Sequence, residues 1–141
     1  MGLFSSFGIS GSALSAEKLR VDTISSNLAN METTRTPDGG PYQRKTVVFA
    51  ERLAQLRGTA SSSPGQGVQV NAIVDDPNPP RLEHDPDHPD ADEEGYVEYP
   101  NIDLAKEMTE LVTSSRSYEA SSTAIDTAKS LYLKALEIGH P

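Results

Sequence analysis

The sequence of 141 residues contains no cysteine and no tryptophan. Without cysteine the chain has no disulfide, no thiol chemistry and no zinc site of the cysteine type. Hydrophobic residues make up 35% of the chain, which is below the usual globular share and provides little material for a large closed core. We therefore expect part of its apolar surface to be buried against other protein molecules.

Long apolar runs are also missing. No window approaches the ~18 consecutive apolar residues of a membrane-spanning helix, so direct membrane insertion is not expected. The first basic residue is Lys18, whereas a cleaved secretory signal begins with a basic segment and continues with a longer apolar run. From composition alone, a cytoplasmic protein would be expected.

Positive charge is scarce in one segment of the chain. Residues 75–98 hold ten acidic residues and one basic residue, Arg81, so this segment carries the whole formal net charge of -9. The remaining residues are balanced between the two signs. A field of this kind argues against nucleic acids and anionic membranes as partners.

Three parts follow one another along the chain. The N-terminal part, residues 1–36, and the C-terminal part, residues 101–141, each contain an apolar row that recurs every seven residues. The part between them, residues 37–100, is a polar insert that holds nine of the ten prolines. This organisation predicts a mainly α, elongated subunit with two coiled-coil-like terminal helices and a small β-containing insert.

The terminal helices are predicted over residues 9–31 and 102–138, with Asn101 as the N-cap of the second and Asp103 in its first turn. A helix of about 36 residues spans about 54 Å, too long to be covered by the rest of so small a chain. We predict that the apolar rows form an assembly interface; a self-contained pair of helices within one subunit is the alternative. The predicted interface residues are Leu14, Val21, Ile24, Leu28, Met31, Leu104, Met108, Leu111, Tyr118, Ile125, Leu131 and Leu136.

The polar insert has two candidate strands, at residues 42–49 and 67–74, where β-branched and aromatic residues concentrate. A Ser/Gly linker is predicted at residues 59–67. Residues 77–94 are rich in proline and aspartate, so a loop without regular structure is predicted there.

The acidic loop allows several interpretations. Its pattern at residues 90–94 is similar to the opening of a calcium-binding loop, but Asn101 stands where such a loop needs a bidentate glutamate. His84 and His88 with neighbouring aspartates could bind a transition metal. A solvated loop and a contact with a neighbouring protein remain as alternatives. We expect no metal and no cofactor.

No catalytic arrangement is recognisable in the sequence. No nucleophile has an obvious base and orienting partner, and no phosphate-binding loop is present. We therefore predict that the protein is not an enzyme.

The N-terminal helix carries a recognisable pattern. Its core is Asn27-Leu28-Ala29-Asn30, followed by Thr33-Thr34, and it resembles the signature of the flagellar axial rod and hook protein family. Further pieces follow in the order seen in proximal-rod members of that family: Gly67-Val68-x-Val70, Gly95-Tyr96-Val97, Pro100-Asn101-Ile102-Asp103, Glu107-Met108 and Arg116-Ser117-Tyr118. The chain departs from the family where Ser26 stands in place of a usual asparagine. It departs again at Glu119-Ala120-Ser121, where Gln-Ala-Asn is common.

This resemblance implies a structural subunit of the bacterial flagellar basal-body rod that transmits torque from motor to hook. It implies export through the type III apparatus without cleavage, and a final place in the periplasm or across the cell wall. The implied partners are other rod proteins, the base of the basal body with its membrane ring and export-gate adaptor, and further copies of the chain. The alternative is a soluble export or assembly adaptor whose acidic loop binds a basic partner.

Asn27 and Asn30 are the signature residues with hydrogen-bonding side chains. They either have a special role in assembly or cap the end of the helix, where asparagine tolerates left-handed backbone geometry. A cap that fixes the exit direction of the chain would itself serve assembly.

Overall fold

Two terminal helices frame two small β-hairpins in the computed structural model, which describes residues 3–52 and 66–138. In chain order the elements are α1 (Leu3–Ala29), β1 (Lys45–Glu51), β2 (Val68–Asp75), β3 (Arg81–His84), β4 (Tyr96–Tyr99) and α2 (Leu104–Ile138). This arrangement confirms a mainly α chain with a small β insert. Most of the predicted linker at residues 59–67 lies outside the described residues.

The start of α2 differs from the expectation. The Asp103 carboxylate accepts hydrogen bonds from the backbone N–H groups of Ala105 and Lys106, at 2.9 and 3.3 Å. Asp103 is therefore the N-cap, and the prediction of Asn101 was wrong. The reason is a tight turn in which the N–H of Ile102 binds the carbonyl of Pro100, which leaves Asn101 outside the helix.

The helices pack against each other in opposite directions. Asn27, near the end of α1, contacts Glu107, near the start of α2. At a rise of about 1.5 Å per residue, the start of α1 then lies opposite roughly residue 131, so the last turns of α2 extend beyond α1. The self-contained helix pair is thus present within one subunit, yet it leaves the end of α2 exposed.

The buried apolar core is small. Among the described residues, Ala16, Ile24 and Val97 are the buried hydrophobic side chains. No helix in this part of the chain is both long and apolar enough to cross a membrane. Specific polar contacts therefore have to fix much of the arrangement.

Strands β1 and β2 form an antiparallel ribbon along α1. Their register runs from Lys45 opposite Asp75 to Glu51 opposite Val68. The ribbon meets α1 at both ends, because Asn27 binds the backbone of Lys45 and Ser12 binds that of Val68. The distance fits: α1 rises about 22 Å between these contacts, and the seven residues of β1 span about 23 Å.

The beginning of β2 requires glycine. Gly67 has a φ of 105°, in the left-handed region, and a Cβ atom there would lie 2.1 Å from Ser12 Oγ. The same hydroxyl donates to the carbonyl of Ile9 at 2.7 Å and accepts the N–H of Val68 at 3.1 Å. This close approach docks the ribbon onto the N-terminal half of α1.

A second hairpin begins inside residues 77–94, the segment predicted to have no regular structure, because β3 lies there while β4 lies just beyond it. Strand β3 pairs with β4 from Arg81 opposite Tyr99 to His84 opposite Tyr96. That part of the loop prediction was wrong. Cross-strand contacts stabilise the pair: the Arg81 guanidinium lies 5.5 Å from the Tyr99 ring, and the His84 and Tyr96 rings are 5.0 Å apart. The segment around β3 is rich in proline, and its own sequence does not indicate these contacts with β4.

Candidate functional site

A cluster of buried and half-buried polar groups connects α1, β1 and α2. We call it the polar joint and define it as Asn27, Tyr42, Arg44, the backbone of Lys45, and Glu107. These groups come from distant parts of the chain and meet where the two helices and the ribbon converge.

Asn27 is the centre of the polar joint and is fully buried. Its amide nitrogen donates to the carbonyl of Lys45 at 2.9 Å and to Glu107 Oε2 at 3.1 Å. Its amide oxygen accepts the N–H of Lys45 at 2.9 Å and the hydroxyl of Tyr42 at 3.1 Å. All four hydrogen-bonding positions of the amide are therefore used. By binding both backbone groups of Lys45, the side chain acts on the free edge of β1 as a neighbouring strand would.

Arg44 and Glu107 form the charged half of the polar joint. Arg44 Nε lies 2.6 Å from Glu107 Oε1, with 9% and 0% of the two side chains exposed. The remaining guanidinium nitrogens contact Thr46 at 2.8 Å, Glu110 at 3.3 Å and Asp76 at 3.4 Å. The guanidinium thus fixes the insert to α2 through several directed contacts.

The surroundings of Arg44 keep it charged. Burial by itself lowers the pKa of its guanidinium, but the hydrogen bond and charge of Glu107, with the charges of Glu110 and Asp76, outweigh burial and raise the pKa above its ordinary value. The pKa of Asp76 is lowered, first by the backbone N–H of Asn78, then by that residue's side chain and by Arg44, while burial opposes the change. Both groups are therefore held in their charged forms.

The signature in the sequence marks Asn27 but does not indicate that Arg44 and Glu107 form a pair. Arg44 and Glu107 are 63 positions apart in sequence, and nothing local in a polar insert indicates such a partner. One feature of the sequence could have indicated a buried partner for Glu107. This glutamate lies on the same side of the helix as Ser114, and that side carries few other charged residues. Both of these residues are buried.

Asn30 closes the end of α1. Its side-chain amide donates to the carbonyl of Ser26 at 2.9 Å, and its oxygen accepts the hydroxyl of Thr33 at 3.2 Å. No non-glycine residue in the described part of the chain has a positive φ, so neither signature asparagine uses the left-handed cap geometry. The left-handed part of that alternative was wrong, whereas Asn30 does cap the end of the helix with its side chain. Asn27 stays helical, and its side chain binds groups beside the helix. Of the other signature residues, Leu28 is half-buried and Ala29 is exposed.

The predicted interface residues fall into three groups by burial in the single chain. Ile24 is buried inside the subunit. The half-buried group comprises Leu14, Val21, Leu28, Met31, Leu111 and Ile125. The exposed group comprises Leu104, Met108, Tyr118, Leu131 and Leu136. The structure therefore brings Ile24 into the core and leaves the α2 residues of the third group at the surface.

The acidic loop between β3 and β4 is held by its own carboxylates. Asp90 accepts a hydrogen bond from Thr34 at 2.8 Å and forms an ion pair with Arg35, which ties the loop to the segment after α1. Asp92 Oδ1 accepts the N–H groups of Glu94 and Tyr96, at 2.9 and 2.8 Å. Within the described ranges, no group of three or more histidine, cysteine, aspartate or glutamate side chains is placed to hold a metal ion.

Comparison with known proteins identifies the family. Residues 8–35 match the family described as Flagella basal body rod protein, and residues 93–138 match Flagellar basal body rod FlgEFG protein C-terminal. The chain is 45% identical to the flagellar basal-body rod protein FlgC of Borreliella burgdorferi, over 98% of both chains. It is 44% identical to the FlgC of Bacillus subtilis and 39% identical to that of Salmonella typhimurium, each over 99% of both chains.

The chain belongs to the FlgC family of flagellar basal-body rod proteins. It is accordingly a structural subunit of the bacterial flagellar basal body, and not an enzyme. It assembles with other rod components of the basal body. Membership of this family favours the rod subunit over the soluble adaptor.

The polar joint connects the two parts of the chain that match rod families. The first match contains Asn27 and the second contains Glu107, while Arg44 lies in the insert between them. The residues that join the FlgC-family helices to each other thus also fix the position of the insert.

Proposed function

We propose that this subunit builds the proximal part of the rod by packing the exposed apolar positions of its terminal helices against neighbouring subunits. In this proposal residues 1–36 and 101–141 form the inner, coiled-coil-like layer, and residues 37–100 face outward. The assembled subunits transmit torque from the motor to the hook. The observation that supports this most directly is the apolar end of α2.

The last turns of α2 carry large apolar side chains that the described residues, 3–52 and 66–138, leave largely uncovered. Leu131 is 60% exposed, Leu133 51% and Ile138 87%, and Leu136 lies among them. They lie at or beyond the point that α1 reaches, and a helix with apolar residues on several sides is typical of one that is buried in an assembly. Burying such side chains stabilises a contact by about 1.5–3 kcal/mol each.

The first half of α2 offers a second apolar surface. Leu104, Met108 and Val112 lie on α2, and about half of each side chain is exposed. The residues recur at four-residue intervals, so they lie on one side of the helix. A neighbouring helix that packs along this side would contact the subunit near the polar joint as well as at its far end.

The proposed neighbours are other rod subunits, further copies of the chain, and the base of the basal body with its membrane ring and export-gate adaptor. Export through the type III apparatus without cleavage would deliver the chain to the periplasm or cell wall. The heptad spacing of the apolar rows favours helix packing of the coiled-coil kind between these neighbours.

A double substitution at the exposed end of α2 tests the proposal. Leu131→Asp with Leu136→Asp replaces apolar side chains of which about half the surface is exposed in the single subunit, so the purified variant should unfold at nearly the same urea concentration as the native chain. In cells it should still be exported, but basal bodies should lack a complete rod and the cells should not swim, because each interface would bury an unpaired charge. Immunoblots of exported protein and electron microscopy of basal bodies provide the readouts.

The matched control is Ser130→Asp, which adds one negative charge at an exposed polar position next to Leu131. It should leave rod assembly and swimming close to normal, because surface substitutions usually change stability by no more than about 0.5 kcal/mol. Complete rods and normal swimming in the double variant would show that the end of α2 is not an assembly surface.

A further inference from the structure

The helix pairing is built from small residues that recur every seven positions. Ala16 and Thr23 are buried on α1, while Ser114 is buried and Ser121 half-buried on α2. Because these positions recur every seven residues, a slide of one helix past the other by seven residues would bring side chains of similar size back to equivalent positions. These small residues alone therefore distinguish poorly between the observed register of the two helices and a register displaced by seven residues.

The polar joint interrupts this repetition. Seven positions from Asn27 and Glu107, along their own helices, stand Arg20 and Ser114. A slide that brings Glu107 to Arg20 separates it from Arg44 and leaves Asn27 facing the non-helical residues before α2. A slide in the other direction places Ser114 at Asn27, where a hydroxyl cannot replace the carboxylate that binds Arg44. Each displaced register thus leaves a buried charge without its partner, which is strongly unfavourable.

We infer that the polar joint fixes the register of α1 against α2, and that it acts through the choice of register rather than through overall stability. Apolar residues of similar size often replace a buried ion pair without loss of stability, whereas a single buried polar residue in a helix seam can determine register. The register sets how far the apolar end of α2 extends beyond α1. A slide of seven residues would move that end by about 10 Å relative to the ribbon.

The test replaces the whole polar joint with apolar side chains in the full chain: Asn27→Leu, Arg44→Met and Glu107→Leu. Because the protein has no native cysteine, Ser25→Cys and Ser130→Cys provide two unique sites for spin labels on exposed positions of α1 and α2. From the Asn27–Glu107 contact these sites are about 30 Å apart along the helix axis. Pulsed electron spin resonance then measures their separation in the isolated subunit, so the result does not depend on rod assembly.

The chain with the native polar joint should give one narrow distance distribution. The apolar variant should remain helical and unfold at an equal or higher urea concentration, but it should show a second population displaced by about 10 Å. The matched control, Lys45→Gln with Asp75→Asn, removes the exposed ion pair beside the polar joint and should keep the single distribution.

Two results would overturn the inference. One unchanged narrow distribution in the apolar variant would show that other contacts set the register. Loss of helical circular dichroism, under conditions where the native chain is folded, would show that the polar joint acts through stability instead.

Discussion

At the scale of single residues, Asn27 accounts for much of the arrangement. A sequence pattern could single out this position but could not say what its side chain binds. The partners are the backbone of Lys45 and the side chains of Tyr42 and Glu107, and they are distant in sequence. Buried polar networks depend on long-range geometry, so the sequence could predict that Asn27 matters and not how.

The buried ion pair leads to a prediction about stability. Arg44→Met alone removes the cation and leaves the fully buried Glu107 without it, so the free energy of unfolding should fall by about 3–5 kcal/mol. Lys45→Met removes the exposed pair with Asp75 and should cost less than about 1 kcal/mol. Urea unfolding followed by circular dichroism measures both. Equal, small effects of the two substitutions would show that the Arg44–Glu107 contact is not formed in solution.

At the scale of the elements, periodicity predicted both helices and the ribbon strands, although the bounds shifted by several residues. The helix α1 starts at Leu3, earlier than predicted, and includes two glycines that local propensity argues against. The strand β3 was missed because its stabilising contacts come from Tyr96 and Tyr99 on another strand. Local composition predicts a strand poorly when the strand is stabilised mainly by contacts with a neighbouring strand.

The docking of the ribbon on α1 gives a prediction at this scale. Gly67→Ala combines a backbone strained at positive φ with a Cβ that meets Ser12, so it should destabilise the chain by well over about 1 kcal/mol. Gly39 has a similar φ of 89° but nothing within 4 Å of the position of a Cβ. Gly39→Ala should therefore show the backbone cost alone.

Thermal unfolding of the two alanine variants separates the contributions. A clearly larger loss at Gly67 than at Gly39 is the expected result. Equal decreases in unfolding temperature for the two substitutions would show that the close approach of Ser12 to the start of β2 does not contribute to stability.

At the scale of the whole molecule, the subunit has two unlike ends. The end with the polar joint is held by directed, buried contacts among three elements, whereas the other end of α2 is apolar and exposed in the single chain. Low hydrophobic content and a helix longer than its partner could be read from the sequence. The position of α2 relative to α1 could not, because the seven-residue rows permit more than one register.

The central claim is that the exposed end of α2 becomes buried when the rod assembles. Hydrogen exchange of the free subunit and of purified basal bodies tests it most directly. In the free subunit, residues 107–114 should be protected and residues 131–138 should exchange rapidly, because few contacts hold that end. In basal bodies both segments should be protected. Exchange at residues 131–138 that is as rapid in basal bodies as in the free subunit would contradict the account.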